Sequence, residues 1–295
     1  MLVATLVSAH GQALLDDTLL KQLAAALPGA VRTQRLDGEI AADLFAEAGD
    51  ARKLEADLRR LLGDTAIDII VQPAATRRKT LFLADMDSTM IGQECIDELA
   101  AYVGLKEKVS GITERAMRGE IAFEPALRER VALLEGVSLA VVGEIIAERI
   151  TLTPGGRELV ATMRHHGAYT ALVSGGFTVF TGPISTTIGF DEHRSNILLA
   201  DGGVLTGEVA DPILGKQAKL DALLELRARF ALAPEATLAV GDGANDLAML
   251  GEAGLGVAFR AKPAVAAAAD ARLDHADLTA LLYAQGYTGA DIVRA

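Results

Sequence analysis

Two patterns of apolar residues alternate along the first part of the chain. Short apolar runs typical of strands are LVATLVSA, AVRTQRL and AIDIIVQP, and segments with helical spacing are DDTLLKQLAAAL and ARKLEADLRRLL. The order strand, helix, strand, helix, strand predicts a small α+β domain over residues 1–77, which ends at the polar basic linker AATRRK. This segment carries no catalytic group of residues, and His10 and Asp16 are expected to serve in a turn and a helix cap.

From residue 78 onward, strands and helices alternate in a way that is typical of a parallel sheet with crossover helices. The runs TLFLADMD, YTALVSGG and ATLAVGDGAND are each apolar and then end abruptly in small or acidic residues. We therefore expect a Rossmann-like α/β core. Ligands of such sheets bind at the carboxyl ends of the strands, so these three endings should lie together.

Residues 92–150 have a different composition, with charged residues set among periodic Leu and Val. This pattern predicts a helical cap inserted into the core. The catalytic domain would then span residues 78–295, with its core at 78–91 and 151–295. Because the insertion follows the DMDS segment directly, we expect the cap to cover that segment.

Charge and composition narrow the classes of partner. The 295-residue chain has a formal net charge of −12, which argues against nucleic acid as a partner and means that a phosphate site needs local cations or a metal. Cys95 is the single cysteine, as expected in a reducing cytoplasm. No apolar run approaches the roughly 18 residues of a membrane span, and MLVATLV lacks the features of a signal peptide. We expect a cytoplasmic protein without a membrane segment.

Asp85 and Asp87 end the first core strand. One carboxylate at this place can attack phosphorus, and a second can protonate the leaving oxygen and later deprotonate water. A solvated acidic turn explains the same pair equally well, so the pair alone leaves both interpretations open.

The segment GDGAND favours the catalytic interpretation. Gly241 and Gly243 allow the backbone to turn closely around a ligand, and Asp242 would join Asp85 in binding a hard divalent cation. Asp246 suits an outer role that orients these groups. Helix capping explains one acid here, but not three polar residues around two glycines.

The segment LVSGGFT offers a place for phosphate oxygens. Ser174 can supply a hydroxyl, and Gly175 and Gly176 can supply backbone N–H groups. Farther along, Lys216 and Lys219 begin a helix, where a cation opposes the helix dipole. An anionic partner is therefore expected there, although a solvated lysine remains an alternative for either residue.

The ordered set DMDST, SGG, K and GDGAND resembles the haloacid dehalogenase (HAD) superfamily of aspartyl-phosphate phosphatases. With the cap segments DSTMIGQECIDELA and TERAMRGEIAFEPALRERVALLEG, the chain closely resembles the bacterial phosphoserine phosphatase family across residues 80–290. This resemblance implies hydrolysis of O-phospho-L-serine, a small phosphomonoester, to L-serine and phosphate through an aspartyl-phosphate intermediate. That reaction is the last step of L-serine biosynthesis.

The resemblance assigns the catalytic roles. Asp85 would be the nucleophile and Asp87 the general acid and base. Mg²⁺ would be held by Asp85, the backbone carbonyl of Asp87, and Asp242. Lys219, which fits the family pattern better than Lys216, would neutralise the transferring phosphate.

The resemblance also assigns the substrate contacts: Ser174 and Gly175 for phosphate, Asn245 for the substrate and nucleophile region, Glu94 for the ammonium, Arg130 for the carboxylate, and Phe123 as an apolar lid. A bidentate arginine suits a carboxylate, and an acid suits an ammonium. From the residues alone, surface positions on helices are the favoured interpretation of Glu94 and Arg130. Arg115 and Arg128 are expected in solvent, and the role of Arg118 is open.

The amino-terminal segment resembles the small ferredoxin-like βαββαβ (ACT-like) regulatory module of amino-acid enzymes. Its first loop, SAHGQALLDD, departs from the glycine-rich acidic pattern of such modules, so effector binding and a structural or homodimer-forming role both remain open. Three alternative functions also remain: a phosphotransferase acting on an acceptor such as homoserine, a phosphatase for another small phosphomonoester, and a non-catalytic sensor. The intact acidic set argues against the last.

Overall fold

The described residues form a four-stranded and a six-stranded sheet that share an apolar core, together with a separate two-stranded antiparallel sheet. The computed structural model describes residues 1–47, 49–117 and 120–294, and Arg118 lies outside these ranges. The strands are β1 Leu2–Ser8, β2 Arg32–Asp37, β3 Ala41–Ala46, β4 Ile67–Pro73, β5 Leu81–Ala84, β6 Tyr169–Phe177, β7 Glu192–Asn196, β8 Leu198–Asp201, β9 Val204–Val209, β10 Thr237–Gly241, β11 Leu255–Phe259 and β12 Ala271–Leu273. The helices are α1 Asp17–Ala26, α2 Ala51–Leu62, α3 Cys95–Tyr102, α4 Lys106–Met117, α5 Phe123–Ala132, α6 Ala140–Glu148, α7 Gly156–His165, α8 Thr178–Ile188, α9 Lys216–Arg229, α10 Leu247–Glu252, α11 Pro263–Ala268 and α12 Ala280–Ala284. Within the described ranges, no helix is long and apolar enough to cross a membrane.

The first sheet, with α1 and α2, forms what we call the amino-terminal unit. Its four strands are antiparallel in the order β2-β3-β1-β4, a ferredoxin-like βαββαβ arrangement. The expected α+β fold is confirmed. The pattern of apolar residues predicted three strands in this unit and did not predict β3. Helix α1 begins at the predicted cap, where Asp16 accepts a hydrogen bond of 2.7 Å from the backbone N–H of Leu19.

The second sheet has six parallel strands in the order β12-β11-β10-β5-β6-β7. Strand β5 lies between β10 and β6, and Ala84 is in register with both Leu172 and Val240. The three strand endings singled out in the sequence are therefore neighbours at one edge of the sheet. This confirms the predicted parallel α/β core.

Helices α3–α6, which we call the cap, lie between β5 and α7 in the chain. The two segments that connect the cap to the core run side by side, because Ile91 and Leu152 form an antiparallel bridge. The backbone N–H of Gly92 also donates to Thr151 O at 3.0 Å. Both ends of the cap are thus tied together beside the end of β5.

The amino-terminal unit is held against the core by buried polar contacts as well as apolar packing. Asp68, fully buried in β4, accepts hydrogen bonds from three consecutive backbone N–H groups of residues 274–276, which follow β12. Gln72 donates to Ala284 O at 2.9 Å. A carboxylate that receives three amides is well compensated for its burial, so this contact fixes the seam between the two sheets.

The basic linker is less exposed than its polar sequence suggests. Arg77 forms an ion pair of 2.6 Å with the fully buried Asp43, and Lys79 is only 2% exposed. The Lys79 ammonium donates to Glu235 O at 2.8 Å. Burial lowers the pKa of Lys79 to about 8. The linker is therefore part of the packed structure.

Lys79 should make stability depend on pH. Because its native pKa lies below the unfolded value of 10.5, the unfolded chain holds more protons between these values and stability rises with pH there. We expect the difference in unfolding free energy, wild type minus Lys79→Met, to increase by about 1 kcal/mol from pH 7 to pH 9. Urea unfolding of both proteins at the two pH values measures it. A difference independent of pH would contradict the lowered pKa.

Candidate active site

The carboxyl ends of β5, β6 and β10 bring the predicted polar residues to one cleft. Asp85 follows β5 directly, and its backbone N–H continues the sheet by donating to Val240 O at 3.0 Å. Asp242 follows β10, and Ser174 lies within the last part of β6. A Cβ on Gly176 would lie 3.4 Å from Asp87 Oδ2, so the SGG and DMD segments are in close contact.

Asp85, Lys219 and Asp246 form a buried charged cluster. The Lys219 ammonium lies 2.6 Å from Asp85 Oδ2 and 2.6 Å from Asp246 Oδ1. Burial by itself would lower the pKa of Lys219, but the two carboxylates outweigh it and raise the pKa above its ordinary value. Burial and the charge of Asp85 raise the pKa of Asp246 to about 7. Lys219 is therefore a fixed cation beside Asp85, whereas Lys216 is exposed at the start of the same helix.

Asp87 lies in a setting that favours its neutral form. Burial, followed by the nearby Glu94 and Asp85 charges, raises the pKa of Asp87 well above its usual range. Its buried Oδ1 has no hydrogen-bond partner among the described residues. A raised pKa favours the protonated carboxyl, which is the form that acts as a general acid.

Three carboxylates form a site suited to a cation. Asp85, Asp242 and Asp246 each offer an oxygen, and these oxygens lie within 4.8 Å of one another. Asp246 is already engaged, because Oδ1 receives Lys219 and Oδ2 receives the backbone N–H of Gly243 at 3.0 Å. Both oxygens of Asp85 are engaged in the same way, by the backbone N–H of Met86 and by Lys219, whereas Asp242 receives the Thr89 hydroxyl at 3.3 Å. Carboxylate oxygens of this kind suit a hard divalent ion.

The SGG segment differs in detail from the expected phosphate nest. The backbone N–H of Gly176 donates to Ser174 Oγ at 2.9 Å, which leaves the hydroxyl hydrogen of Ser174 available for a ligand. A Cβ on Gly175 would lie 3.8 Å from Phe123 Cζ. Phe123 is 42% exposed and extends from the cap to this part of the core.

Glu94 and Arg130 lie on the cap side of the site, and their charges interact. The Ser88 hydroxyl donates to Glu94 Oε1 at 2.6 Å, and burial followed by the Asp242 and Asp85 charges raises the pKa of Glu94. Burial lowers the pKa of Arg130, and Asp97 and Glu94 partly counter this effect. Arg130 Nη1 lies 3.4 Å from Thr113 Oγ1. A half-buried arginine thus lies near enough to Glu94 for the two charges to interact.

Arg115 and Arg128 have surface positions, as expected from the sequence. Arg115 pairs with Glu129 at 2.9 Å, and Arg128 pairs with Asp211 at 2.5 Å. Asn245 is exposed, and its Oδ1 is so close to Gly243 that a Cβ there would lie only 2.2 Å away. The described side chain of Asn245 thus lies against the glycine turn.

Two residues of the DMDST segment have contacts that the sequence did not predict. Ser88 has φ 55°, a left-handed conformation uncommon for serine, and this turn lets it reach Glu94. The Thr89 hydroxyl donates to Asp242 Oδ1 at 3.3 Å. Their position directly after the Asp-x-Asp pair was the available signal, but these partners lie outside the local pattern.

Comparison with known proteins agrees with this geometry. Residues 82–251 match the family model of haloacid dehalogenase-like hydrolases. The phosphoserine phosphatase of Albidiferax ferrireducens is 47% identical over 207 residues, which cover 68% of this chain and 87% of that protein. The chain belongs to the phosphoserine phosphatase family of haloacid dehalogenase-like hydrolases. The matched range includes the cap and the endings of β5, β6 and β10.

Solved members of the phosphoserine phosphatase family have the same fold. The unliganded structure of a probable phosphoserine phosphatase from Vibrio cholerae has a TM-score of 0.77 and 32% identity, and the match covers 96% of this chain and 87% of that one. A substrate-bound phosphoserine phosphatase complex has a TM-score of 0.64 and 39% identity, covering 70% and 98% respectively. The first of these matches extends over both sheets.

Proposed function

We propose that the chain hydrolyses O-phospho-L-serine to L-serine and phosphate, the last step of L-serine biosynthesis. The observation that carries this proposal is the buried Asp85–Lys219–Asp246 cluster beside Asp87, with Glu94 near enough for its charge to act on both Asp87 and Arg130. The charged cluster suits phosphoryl transfer. The acid and the arginine suit the ammonium and the carboxylate of an amino acid. The family relationship supports the same substrate.

In the first half-reaction, a carboxylate oxygen of Asp85 attacks phosphorus and the bond to the serine oxygen breaks. Asp87 gives its proton to that oxygen, and the burial and neighbouring negative charges that raise its pKa favour the protonated form that this step needs. In the second half-reaction, Asp87 takes a proton from water as the water oxygen attacks phosphorus. The bond to Asp85 then breaks, and phosphate and the original Asp85 carboxylate result.

Lys219 and the hydrogen-bond donors of the SGG segment would hold the transferring group. The Lys219 ammonium, fixed 2.6 Å from Asp85 Oδ2, can also stabilise charge on phosphate oxygens as the transfer proceeds. The Ser174 hydroxyl, at the end of the neighbouring strand β6, is available to donate to a phosphate oxygen. Phe123 would limit the entry of water while the serine oxygen leaves.

We propose Mg²⁺ as the metal, held by Asp85, Asp242 and the backbone carbonyl of Asp87. The close carboxylate oxygens of Asp85 and Asp242 fit the preference of Mg²⁺ for few carboxylates completed by water and phosphate. When bound, the ion supplies positive charge that offsets the mutual repulsion of carboxylate and phosphate. Removal of divalent ions with a chelator should stop turnover, and added Mg²⁺ should restore it.

The substrate contacts are tested by Arg130→Ala. Loss of a bidentate partner for the substrate carboxylate should raise KM for phosphoserine about 10-fold or more, with little change for p-nitrophenyl phosphate. Arg115→Ala, which removes a surface ion pair of the same cap, is the matched control. Steady-state kinetics with both substrates would contradict the assignment if Arg130→Ala left KM for phosphoserine unchanged.

Transfer to an alcohol remains the second candidate reaction, because the same residues can activate a hydroxyl in place of water. The two are separated by measuring serine and inorganic phosphate release in the presence of homoserine. Hydrolysis gives equal amounts of both products, whereas transfer gives serine in excess of phosphate. Activity toward other small phosphomonoesters without preference for phosphoserine would favour a general phosphatase.

We also propose the division into domains at residues 1–77 and 78–295, with the cap at 92–150 and a cytoplasmic location. A homodimer formed through the amino-terminal unit is the proposed assembly, and an ACT-like effector role for this unit is an alternative. Light scattering of the whole chain, with and without L-serine, would test both.

A further inference from the structure

The turn that follows the Asp-x-Asp pair is joined directly to the segment that leads into the cap. The backbone N–H of Ser88 donates to Gln93 O at 3.2 Å, and the Ser88 hydroxyl donates to Glu94 Oε1 at 2.6 Å. Residues 88–94 thus form a loop that is closed by one backbone and one side-chain hydrogen bond. Neither bond takes part in the proposed phosphoryl transfer.

The backbone of Ser88 has a conformation that glycine would adopt at lower cost. Ser88 has φ 55° and ψ 4°, the left-handed region in which serine is uncommon. Glycine enters this region freely but carries no hydroxyl. A serine held in an unfavourable conformation therefore indicates a use for its side chain, and the single hydrogen of its hydroxyl is donated to Glu94.

The surroundings of Glu94 oppose the conformation in which Ser88 holds it. Glu94 is accessible to solvent, and fixing a long glutamate side chain costs conformational entropy. The negative charges of Asp242 and Asp85 also act on it, so repulsion favours conformations in which the carboxylate points away from the site. The hydrogen bond from Ser88 opposes both effects. Because this bond uses Oε1, Oε2 can accept a hydrogen bond from a ligand.

We propose that Ser88 is a positioning residue that holds Glu94 ready to receive the ammonium group of the substrate, and that it thereby contributes to selectivity for amino-acid phosphomonoesters. This inference rests on the proposed function, which assigns the substrate ammonium to Glu94. A carboxylate that is already in place loses less conformational entropy when the ammonium binds. The hydroxyl of Ser88 therefore acts through Glu94, and its loss should weaken recognition of the ammonium without changing the reaction at phosphorus.

The test compares two phosphomonoesters with the same three-carbon frame. O-phospho-L-serine carries an ammonium and a carboxylate, whereas 3-phosphooxypropionate carries only the carboxylate. The ratio of their kcat/KM values, measured with the full chain at saturating Mg²⁺, reports recognition of the ammonium. Ser88→Gly is the informative variant, because glycine accepts a φ of 55° and keeps the N–H that bonds to Gln93.

We expect Ser88→Gly to lower this ratio about 10-fold, the loss that corresponds to one hydrogen bond to a charged group. The change should come from a higher KM for phosphoserine rather than a lower kcat, and kcat/KM for 3-phosphooxypropionate should stay close to that of the wild type. In a Glu94→Gln background, Ser88→Gly should cause no further fall in the ratio, because the residue through which it acts has lost its charge.

Ala231→Gly is the matched control for the change of backbone. Ala231 also has a left-handed conformation, with φ 52°, and it is exposed after the end of α9, away from the active site. Its replacement by glycine should leave the kinetic constants for both substrates unchanged. Circular dichroism and thermal unfolding verify that each variant is folded.

The outcomes separate this inference from the proposed function. Equal kcat/KM values for the two substrates in the wild type would overturn the proposed substrate, and the role of Ser88 with it. A wild-type preference for phosphoserine that persists in Ser88→Gly would overturn the role of Ser88 alone. The same conclusion follows if Ser88→Gly lowers both values by the same factor, since a purely structural role has that effect, or if it lowers the ratio equally with Glu94 and with Gln at position 94.

Discussion

Asp85→Asn is expected to lower kcat for phosphoserine by at least about 10⁴-fold, the scale of loss when a covalent nucleophile is removed. An amide oxygen in this position does not attack phosphorus effectively, and no phosphorylated enzyme should form. The change preserves shape, and Asn can still accept the 2.7 Å hydrogen bond that Asp85 Oδ1 receives from the backbone N–H of Met86. Stopped and continuous assays of phosphate release measure the decrease in kcat.

Asn also replaces one of two carboxylates beside Lys219, so the fold of the variant requires its own check. Lys219 retains Asp246 at 2.6 Å, and we expect the circular dichroism spectrum to match that of the wild type. Substantial phosphatase activity in a folded Asp85→Asn protein would remove Asp85 from the covalent step.

Lys219→Met is expected to affect both stability and rate. Removal of the cation leaves Asp85 and Asp246 buried and close together, which should cost about 3–5 kcal/mol of unfolding free energy. The same change removes a charge aimed at the transferring phosphate, so kcat should fall by about 10²–10³-fold. Urea unfolding in a chelator measures the first effect, and kinetics with Mg²⁺ measures the second.

Lys216→Met is the matched control for this variant. Lys216 begins the same helix α9 but is exposed, so its loss should change neither quantity appreciably. Equal effects of the two substitutions would mean that general charge, rather than the buried cluster, is responsible.

The large-scale fold could be predicted because local patterns specify it. The apolar runs at 81–84, 169–173 and 237–241 are long enough to identify buried parallel strands, and their endings were expected to converge. Strand β3 was harder, since Asp43 interrupts its apolar pattern. Asp43 is buried because Thr5 donates to it at 2.7 Å and Arg77 pairs with it at 2.6 Å. Thr5 and Arg77 are distant from Asp43 in the sequence, so the local pattern of apolar residues could not predict these contacts.

The active site also could be predicted only in part from the sequence. The order of motifs indicated Asp85, Asp242 and a lysine, but the choice between Lys216 and Lys219 required the resemblance to a family, and the structure adds that only Lys219 is buried. The contact between Ser88 and Glu94 depends on a left-handed turn at Ser88. A conformation of this kind is imposed by the surrounding structure rather than by the preference of serine.

The central claim is that this chain is a phosphatase for phosphoserine, and the most direct measurement compares kcat/KM for O-phospho-L-serine and p-nitrophenyl phosphate in the presence of Mg²⁺. Recognition of both the ammonium and the carboxylate should favour phosphoserine by about 100-fold or more. Equal values for the two substrates, or no hydrolysis of phosphoserine by folded protein, would contradict it.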